Sequence, residues 1–352
     1  MRHVSVQLVA VFTSLAAATA LGQSVTRVGI SNAVMGEDGR SLAGTTVKWK
    51  SEWWEQDTYT ALRWTPETGL VVKHTIHSDR GMMVVDGSQD MSTLYLTINE
   101  GTDWIYSRLY QLKDGSKSNV ISSGLSVRSG GVSADGSTIA FRTNFYEAAP
   151  SQASVWRSGI GYESIGQELG VSSLTSDGSM ALVTGSVFGH DTRSFLWRRG
   201  AGLTPLSLPG DATAMSRNGT WFVGSTVVNG QTYLYRWSAA TGAELFAAPK
   251  GVVVTEPTND GRTFLVRVGN LSNMWHDGEF LSVEGYLAKF GIGLGGVDVS
   301  NPTFLSADGW SIAGPSAGGT FIAIIPSPGS SIVPAAWAVM MCSRRRRRVV
   351  HR

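Results

Sequence analysis

The sequence predicts an all-β protein: a seven-bladed β-propeller in which an N-terminal strand (about 24–30) completes the last blade beside 320–325. Three observations carry this. One short turn signal recurs seven times along the 352 residues. A short apolar run follows each turn, and an aromatic-ended run follows that. The body from Gln23 to Ile325 has 303 residues, which seven units of about 43 fill with no room for a second domain.

The turn signals are Gly36-Glu37-Asp38-Gly39, Ser88-Gln89-Asp90-Met91, Ser133-Ala134-Asp135-Gly136, Thr175-Ser176-Asp177-Gly178, Ser216-Arg217-Asn218-Gly219, Thr258-Asn259-Asp260-Gly261 and Ser306-Ala307-Asp308-Gly309. Their last residues lie 41 to 52 positions apart. Asp-Gly and Asn-Gly favour two-residue hairpins of type I′, whose central residues both take positive φ. Short, small segments precede the turns, such as Ser172-Ser173-Leu174 and Ala212-Thr213-Ala214-Met215. Apolar runs such as Thr138-Ile139-Ala140-Phe141 and Trp221-Phe222-Val223-Gly224 follow them and read as strands.

A third run ends in an aromatic residue: Trp64, Tyr110, Trp156, Trp197, Trp237 and Trp275 in the first six units. Their equivalent places point to packing between blades. A Gly turn and a Leu- or Val-bearing run come next, as in Gly202-Leu203-Thr204-Pro205-Leu206. Each unit therefore offers four strands. One such wedge cannot bury both of its faces alone, and radial stacking buries both. The seventh unit stops after its third strand, Thr320 to Ile325, while Ser24 to Ile30 form an unassigned strand before the first unit. Pairing these two would close the ring and remove an exposed edge.

The pattern "small-x-Asp-Gly, apolar strand, Trp, then Gly-x-x-x-Leu" resembles the HAF-type extracellular repeats of bacterial surface proteins. The resemblance covers nearly the whole body. It implies an exported propeller and carries no catalytic residues to transfer. The Asp-box of sialidase-like propellers is similar, but here Gly follows Asp directly, one residue short of that register.

Both ends read as address labels. Residues 1–22 have a basic tip, an apolar stretch and small residues at Ala20 and Gly22, the order of a secretory signal peptide. Residues 326–352 run from Pro326-Ser327-Pro328-Gly329 through a short apolar segment to Arg344–Arg348. This tail resembles the PEP-CTERM-type sorting signals of bacterial surface proteins. It departs from them in a short apolar part interrupted by Pro334. The resemblance implies transient membrane contact and removal by an exosortase-type enzyme, after passage through the export machinery.

The ends also set the charge. Of 29 Lys and Arg, seven (Arg2, Arg344 to Arg348, Arg352) lie in these ends, which hold no acid. The body therefore has 22 basic residues against 27 acidic ones, a net of −5. No basic stripe for nucleic acid is present in it. The lone cysteine, Cys342, excludes a disulfide scaffold and a cysteine-based zinc site.

Motifs for chemistry are sparse. The repeated Asp of the turns could serve a cation, but each turn offers one or two acids where calcium takes six to eight oxygens. His74 and His77 lie in a β-like run, which points their rings to opposite faces. His190-Asp191 is an exposed-looking pair with no Gly-x-Ser-x-Gly elbow elsewhere. No catalytic residue, cofactor or metal site is assigned. The candidate ligand contacts are aromatic residues in the insertions of the first two units: Trp53, Trp54, Tyr59 and Trp104. The expected function is that of an exported cell-surface or extracellular propeller, a non-enzymatic binding or envelope protein that recognises a protein or glycan through its loop face. The alternative is a secreted carbohydrate-active enzyme, hydrolase or lyase, on the same scaffold. Two or more acids, or a His with acids, converging within a few ångströms over the central channel would favour the enzyme, and a ring of hydroxyls and aromatics without such convergence would favour binding.

Overall fold

The computed structural model describes residues 25–49, 56–78, 81–99, 107–121, 126–144, 151–185 and 193–326. Residues 1–24, with the expected leader, and residues 327–352, with nearly all of the expected sorting tail, lie outside them.

The chain opens with β1 (Val25–Val28). Blade 1, from the axis outward, is β2 (Ser31–Met35), β3 (Leu42–Lys48), β4 (Thr58–Thr65) and β5 (Gly69–His77). Blade 2 is β6 (Met82–Gly87), β7 (Thr93–Asn99), β8 (Ser107–Lys113) and β9 (Ser116–Ile121). Blade 3 is β10 (Ser126–Val132), β11 (Thr138–Asn144), β12 (Gln152–Arg157) and β13 (Gly161–Gln167). Blade 4 is β14 (Leu169–Leu174), β15 (Met180–Gly185), β16 (Ser194–Arg198) and β17 (Gly202–Pro205). Blade 5 is β18 (Ala212–Met215), β19 (Phe222–Val228), β20 (Gln231–Ser238) and β21 (Gly242–Ala247). Blade 6 is β22 (Val252–Pro257), β23 (Thr263–Val268), β24 (Leu271–His276) and β25 (Glu279–Ser282), followed by helix α1 (Val283–Lys289). Blade 7 is β26 (Phe304–Leu305), β27 (Ser311–Ser316), β28 (Gly319–Ile324) and, outermost, β1.

The ring closes as the sequence predicts. β1 pairs antiparallel with β28, with Val25 opposite Ala323 and Val28 opposite Thr320. The Thr320 hydroxyl donates to the carbonyl of Ile30 at 2.9 Å. Ile30 is fully buried against Leu42 and Trp64 of blade 1 and Ala313 and Ile322 of blade 7.

The core lies in the seams between blades. Trp64 packs in the seam of blades 7 and 1, Trp197 in that of blades 3 and 4, and Trp275 in that of blades 5 and 6. Trp275 stacks on Phe264 with ring centroids 4.5 Å apart. α1 fills the seam of blades 6 and 7 with Val283, Tyr286 and Leu287. The Ser282 hydroxyl caps it by accepting from the Gly285 N–H at 3.0 Å.

The repeated turns differ from the expected type I′. Positive φ falls on the final residue alone: +68° at Gly136, +64° at Gly178 and +57° at Met91. The Gly136 N–H donates to the Ser133 carbonyl at 2.9 Å, so a type I turn ends in one left-handed residue. The reason lies in the side chains. The Ser133 hydroxyl donates to Asp135 at 2.6 Å, Asp135 accepts from the Ser137 N–H at 3.0 Å, and the Thr138 N–H donates back to the Ser133 hydroxyl at 2.9 Å. The same knot forms on Ser88, Thr175, Ser216, Thr258 and Ser306. Blade 1 has Gly36 in that place, and Ser41 supplies the hydroxyl to Asp38 instead, at 3.0 Å. A Cβ on Gly36 would lie 2.2 Å from the Ser41 hydroxyl.

The turns also fasten blade to blade. The N–H of Gln89 donates to Ala134, that of Ala134 to Ser176, and that of Ser176 to Arg217, at 2.7 to 2.9 Å. The turn glycines press on the preceding blade: a Cβ on Gly136 would meet Thr93 at 2.7 Å, and one on Gly39 would meet Ser311 of blade 7 at 2.7 Å. These turns define one end of the ring, the turn face. The opposite end, where the second strand of each blade leads into the third, is the loop face.

Candidate functional site

The innermost strands surround the axis, and two cavities are stacked along it. The first, about 320 Å³, is lined by residues of all seven blades. The second, about 950 Å³, lies toward the loop face and is bounded by blades 7, 1, 2 and 3. Val34, Val85, Ser129 and Phe304 line both, so they form a collar in one continuous lumen.

The inner strands of blades 1 to 6 each carry a register shift, as between Val84 and Asp86 or Val254 and Glu256. Such a bulge bends a strand and re-aims its side chains. Two positions before the Ser or Thr of the turn, the repeats place Val34, Asp86, Gly131, Ser173, Ala214, Glu256 and Phe304. Blades 2 and 6 thus bring carboxyls to the lumen where other blades have apolar or small residues. The second turn residue supplies Glu37 from blade 1 and Arg217 from blade 5.

Arg217 spans the turn-face end of the lumen. Its guanidinium donates to Glu37 at 3.1 Å, to the Val132 carbonyl at 2.6 Å and to the Leu174 carbonyl at 2.9 Å. Glu37 also accepts from the Ser176 hydroxyl. One ion pair therefore joins blades 1 and 5 across the axis and reaches blades 3 and 4.

Asp86 accepts from the Ser129 hydroxyl at 2.6 Å and from the Gly87 N–H at 2.8 Å. Glu256 accepts from the Leu305 N–H. Both acids face the void and are half-buried in its wall. Burial pushes Glu256 up to about 8, against the lowering effect of the Leu305 N–H and of Arg217, with Asp86 adding to the rise. Burial also raises Asp86; the Ser129 hydroxyl, Arg217 and the Gly87 N–H oppose the rise, and Glu37 reinforces it. Glu256 thus holds a proton at neutral pH.

The acids that the sequence singles out behave differently. The Thr175 hydroxyl, with the Ser179 N–H, holds Asp177 below the ordinary carboxylate range. Their lone pairs are committed to the turn, and among the described residues no three His, Cys, Asp or Glu side chains converge to hold a metal ion. His74 and His77 lie on β5, where His77 Nδ1 pairs with the Thr58 hydroxyl at 3.1 Å.

Of the aromatic candidates, Tyr59 lies within β4 and is buried in the seam of blades 1 and 2, so it belongs to the blade rather than to an insertion. Trp53, Trp54 and Trp104 lie outside the described residues, as do His190 and Asp191. The lumen residues Asp86 and Glu256 were not singled out by the sequence reading. Their signal was there: aligned on the turns, they are the charged residues at an otherwise uncharged inner position.

The connections on the loop face are uneven. Residues 49–57, 100–106, 145–151 and 186–193 link the middle strands of blades 1 to 4, against 229–230, 269–270 and 317–318 in blades 5 to 7.

No family model matches the chain, and no curated relative does. Solved structures do resemble it. An oligogalacturonate lyase in complex with manganese gives a TM-score of 0.52 at 12% identity, covering 86% of this chain and 91% of that one. TolB from Acinetobacter baumannii gives 0.45 at 15% identity, covering 70% of this chain and 63% of that one, so the match spans less than two thirds of TolB. Kuenenia stuttgartiensis hydrazine synthase gives 0.48 at 10% identity, over 87% and 98%. At these identities the likeness concerns the fold alone, and of the three the lyase match bears on it.

Proposed function

We propose that this chain is an exported surface propeller that binds a protein or glycan through its loop face, without catalysing a reaction. The observation that supports this is the pairing of the wide loop-face cavity with long connections on blades 1 to 4. Three of those blades border the cavity. At the turn-face end, Arg217 and Glu37 cross the axis. Export rests on the leader and the sorting tail read from the sequence. β1 starts and β28 ends at the turn face, because Val25 pairs with Ala323. A tail held at a membrane would leave the loop face pointing away from it.

The test is a protein and polysaccharide binding array with the mature protein. Binding that is lost on shortening 100–106 supports the reading. Binding to no partner contradicts it. Mass spectrometry of surface-released protein tests the tail: an intact Arg344–Arg348 cluster on it contradicts processing.

One observation favours a second reading, a carbohydrate-active enzyme: Asp86 and Glu256 line one cavity on the axis, and burial raises both carboxyls, as a general acid requires. Turnover of a polysaccharide that vanishes in Glu256→Gln would establish it.

A further inference from the structure

We propose that the lumen between Asp86 and Glu256 is a binding site for an organic cation, a primary ammonium or guanidinium group on an aliphatic stem, that enters from the loop face. The inference concerns the lumen and does not depend on what the rim recognises.

The charge balance of the lumen is the first argument. In the deeper cavity the basic residue is Arg217, which is matched by Glu37, with its two terminal nitrogens taken by Glu37, Val132 and Leu174, while Arg128 lines the outer, loop-face cavity. Asp86 and Glu256 are left without a cation. Glu256 has one oxygen on the Leu305 N–H, and its other oxygen has no partner among the described residues. Burying a carboxyl in this state disfavours its charge. A cation placed there would restore it. An anion would meet Arg128 in the outer cavity but two carboxyls in the deeper one, where Arg217 is already paired.

The walls are the second argument. The collar beside the acids is made of Val34, Val85, Phe304 and Ser129, whose hydroxyl is held by Asp86. An aliphatic stem can lie against them while its charged head reaches the carboxyls. Lys and Arg side chains have that build, and so do free alkyl amines. A metal ion fits less well, because no third ligand converges among the described residues.

The charged groups that act on Glu256 are Arg217 from the turn after β18 and Asp86 from β6, and Glu37 from the turn after β2 acts in turn on Asp86. Binding ionises Glu256, and the proton it loses passes to the buffer. The bound pair then consists of a carboxylate and the incoming cation.

The experiment is calorimetric titration of the protein with n-butylammonium and with a blocked lysine peptide, at pH 6 and pH 8.5, with 1-butanol and calcium as comparisons. At least tenfold tighter binding at pH 8.5 and release of up to one proton per cation at pH 7 are expected. Glu256→Gln and Asp86→Asn should each weaken it at least tenfold, and Glu256→Gln should remove its pH dependence. Unchanged circular dichroism of both variants shows that the ring persists. Tighter binding of the peptide assigns the head group to a protein partner, and tighter binding of the amine to a small molecule. Equal affinity for 1-butanol, preference for calcium, unchanged binding by Glu256→Gln, or no binding at pH 8.5 would overturn the inference. Loop-face binding that survives in Glu256→Gln would leave the proposed function standing in each of those cases.

Discussion

Arg217 and Glu37 lie 180 positions apart in the chain and meet across the channel at 3.1 Å. The same guanidinium satisfies two backbone carbonyls of blades 3 and 4. Arg217→Ala leaves a buried carboxylate without its counter-charge and two carbonyls without a donor. A loss of about 3 kcal/mol in urea unfolding is expected. The exposed pair Arg262–Asp277 on the turn face should contribute little by the same measurement.

Glu256 gives the protein an unusual pH dependence. Its folded-state value of about 8 lies above the ordinary value of 4.5. Between these, the folded state holds a proton that the unfolded state has released. Stability from this group is full below the unfolded value and falls as pH rises toward 8. Glu256→Gln removes that slope. Relative to the parent, the variant should gain about 3 kcal/mol between pH 5 and pH 8, read from denaturant midpoints across that range. A gain that does not change with pH would contradict the assignment.

The turn glycines separate backbone strain from packing between blades. Gly136 and Gly200 both have positive φ, +68° and +75°. A Cβ at Gly136 would strike Thr93, whereas nothing lies within 4 Å of one at Gly200. Gly200→Ala should cost about 1 kcal/mol, and Gly136→Ala about 1–3 kcal/mol more.

Much of the fold was legible because the repeat is one short turn, and its hydroxyl–carboxylate knot fixes Ser or Thr, Asp or Asn and Gly at set places. The four strands per unit, the missing strand of blade 7 and the seam tryptophans follow from that frame. The turn type was missed because the knot, rather than positive φ at Asp, shapes it. Helix α1 was missed because it fills the longer spacing between Gly261 and Gly309 with no period of its own. The lumen carboxyls were hidden for a different reason. Asp86 and Glu256 are 170 positions apart, and only the closure of the ring turns them toward one void.

Closure by the N-terminal segment is also a matter of packing. Ile30 is fully buried in the seam of blades 7 and 1. Ile30→Ala should cost about 3 kcal/mol, while Val227→Ala at an exposed loop-face position should change stability by under about 0.5 kcal/mol. Thermal and urea unfolding of the two variants give the comparison.

Disulfide trapping between the first and last strands tests the ring most directly. Cysteine pairs are placed at Val25 with Ala323 and at Thr26 with Ile322, in a Cys342→Ser background. Neighbouring partners in an antiparallel pair alternate between wide and close spacing, so the two pairs sample both. A closed ring gives an intramolecular bond in at least one pair, in the monomer, and none in a mismatched pair at Val28 and Ala323. No intramolecular bond in either matched pair, or bonds formed only between molecules, would contradict the closed seven-bladed ring.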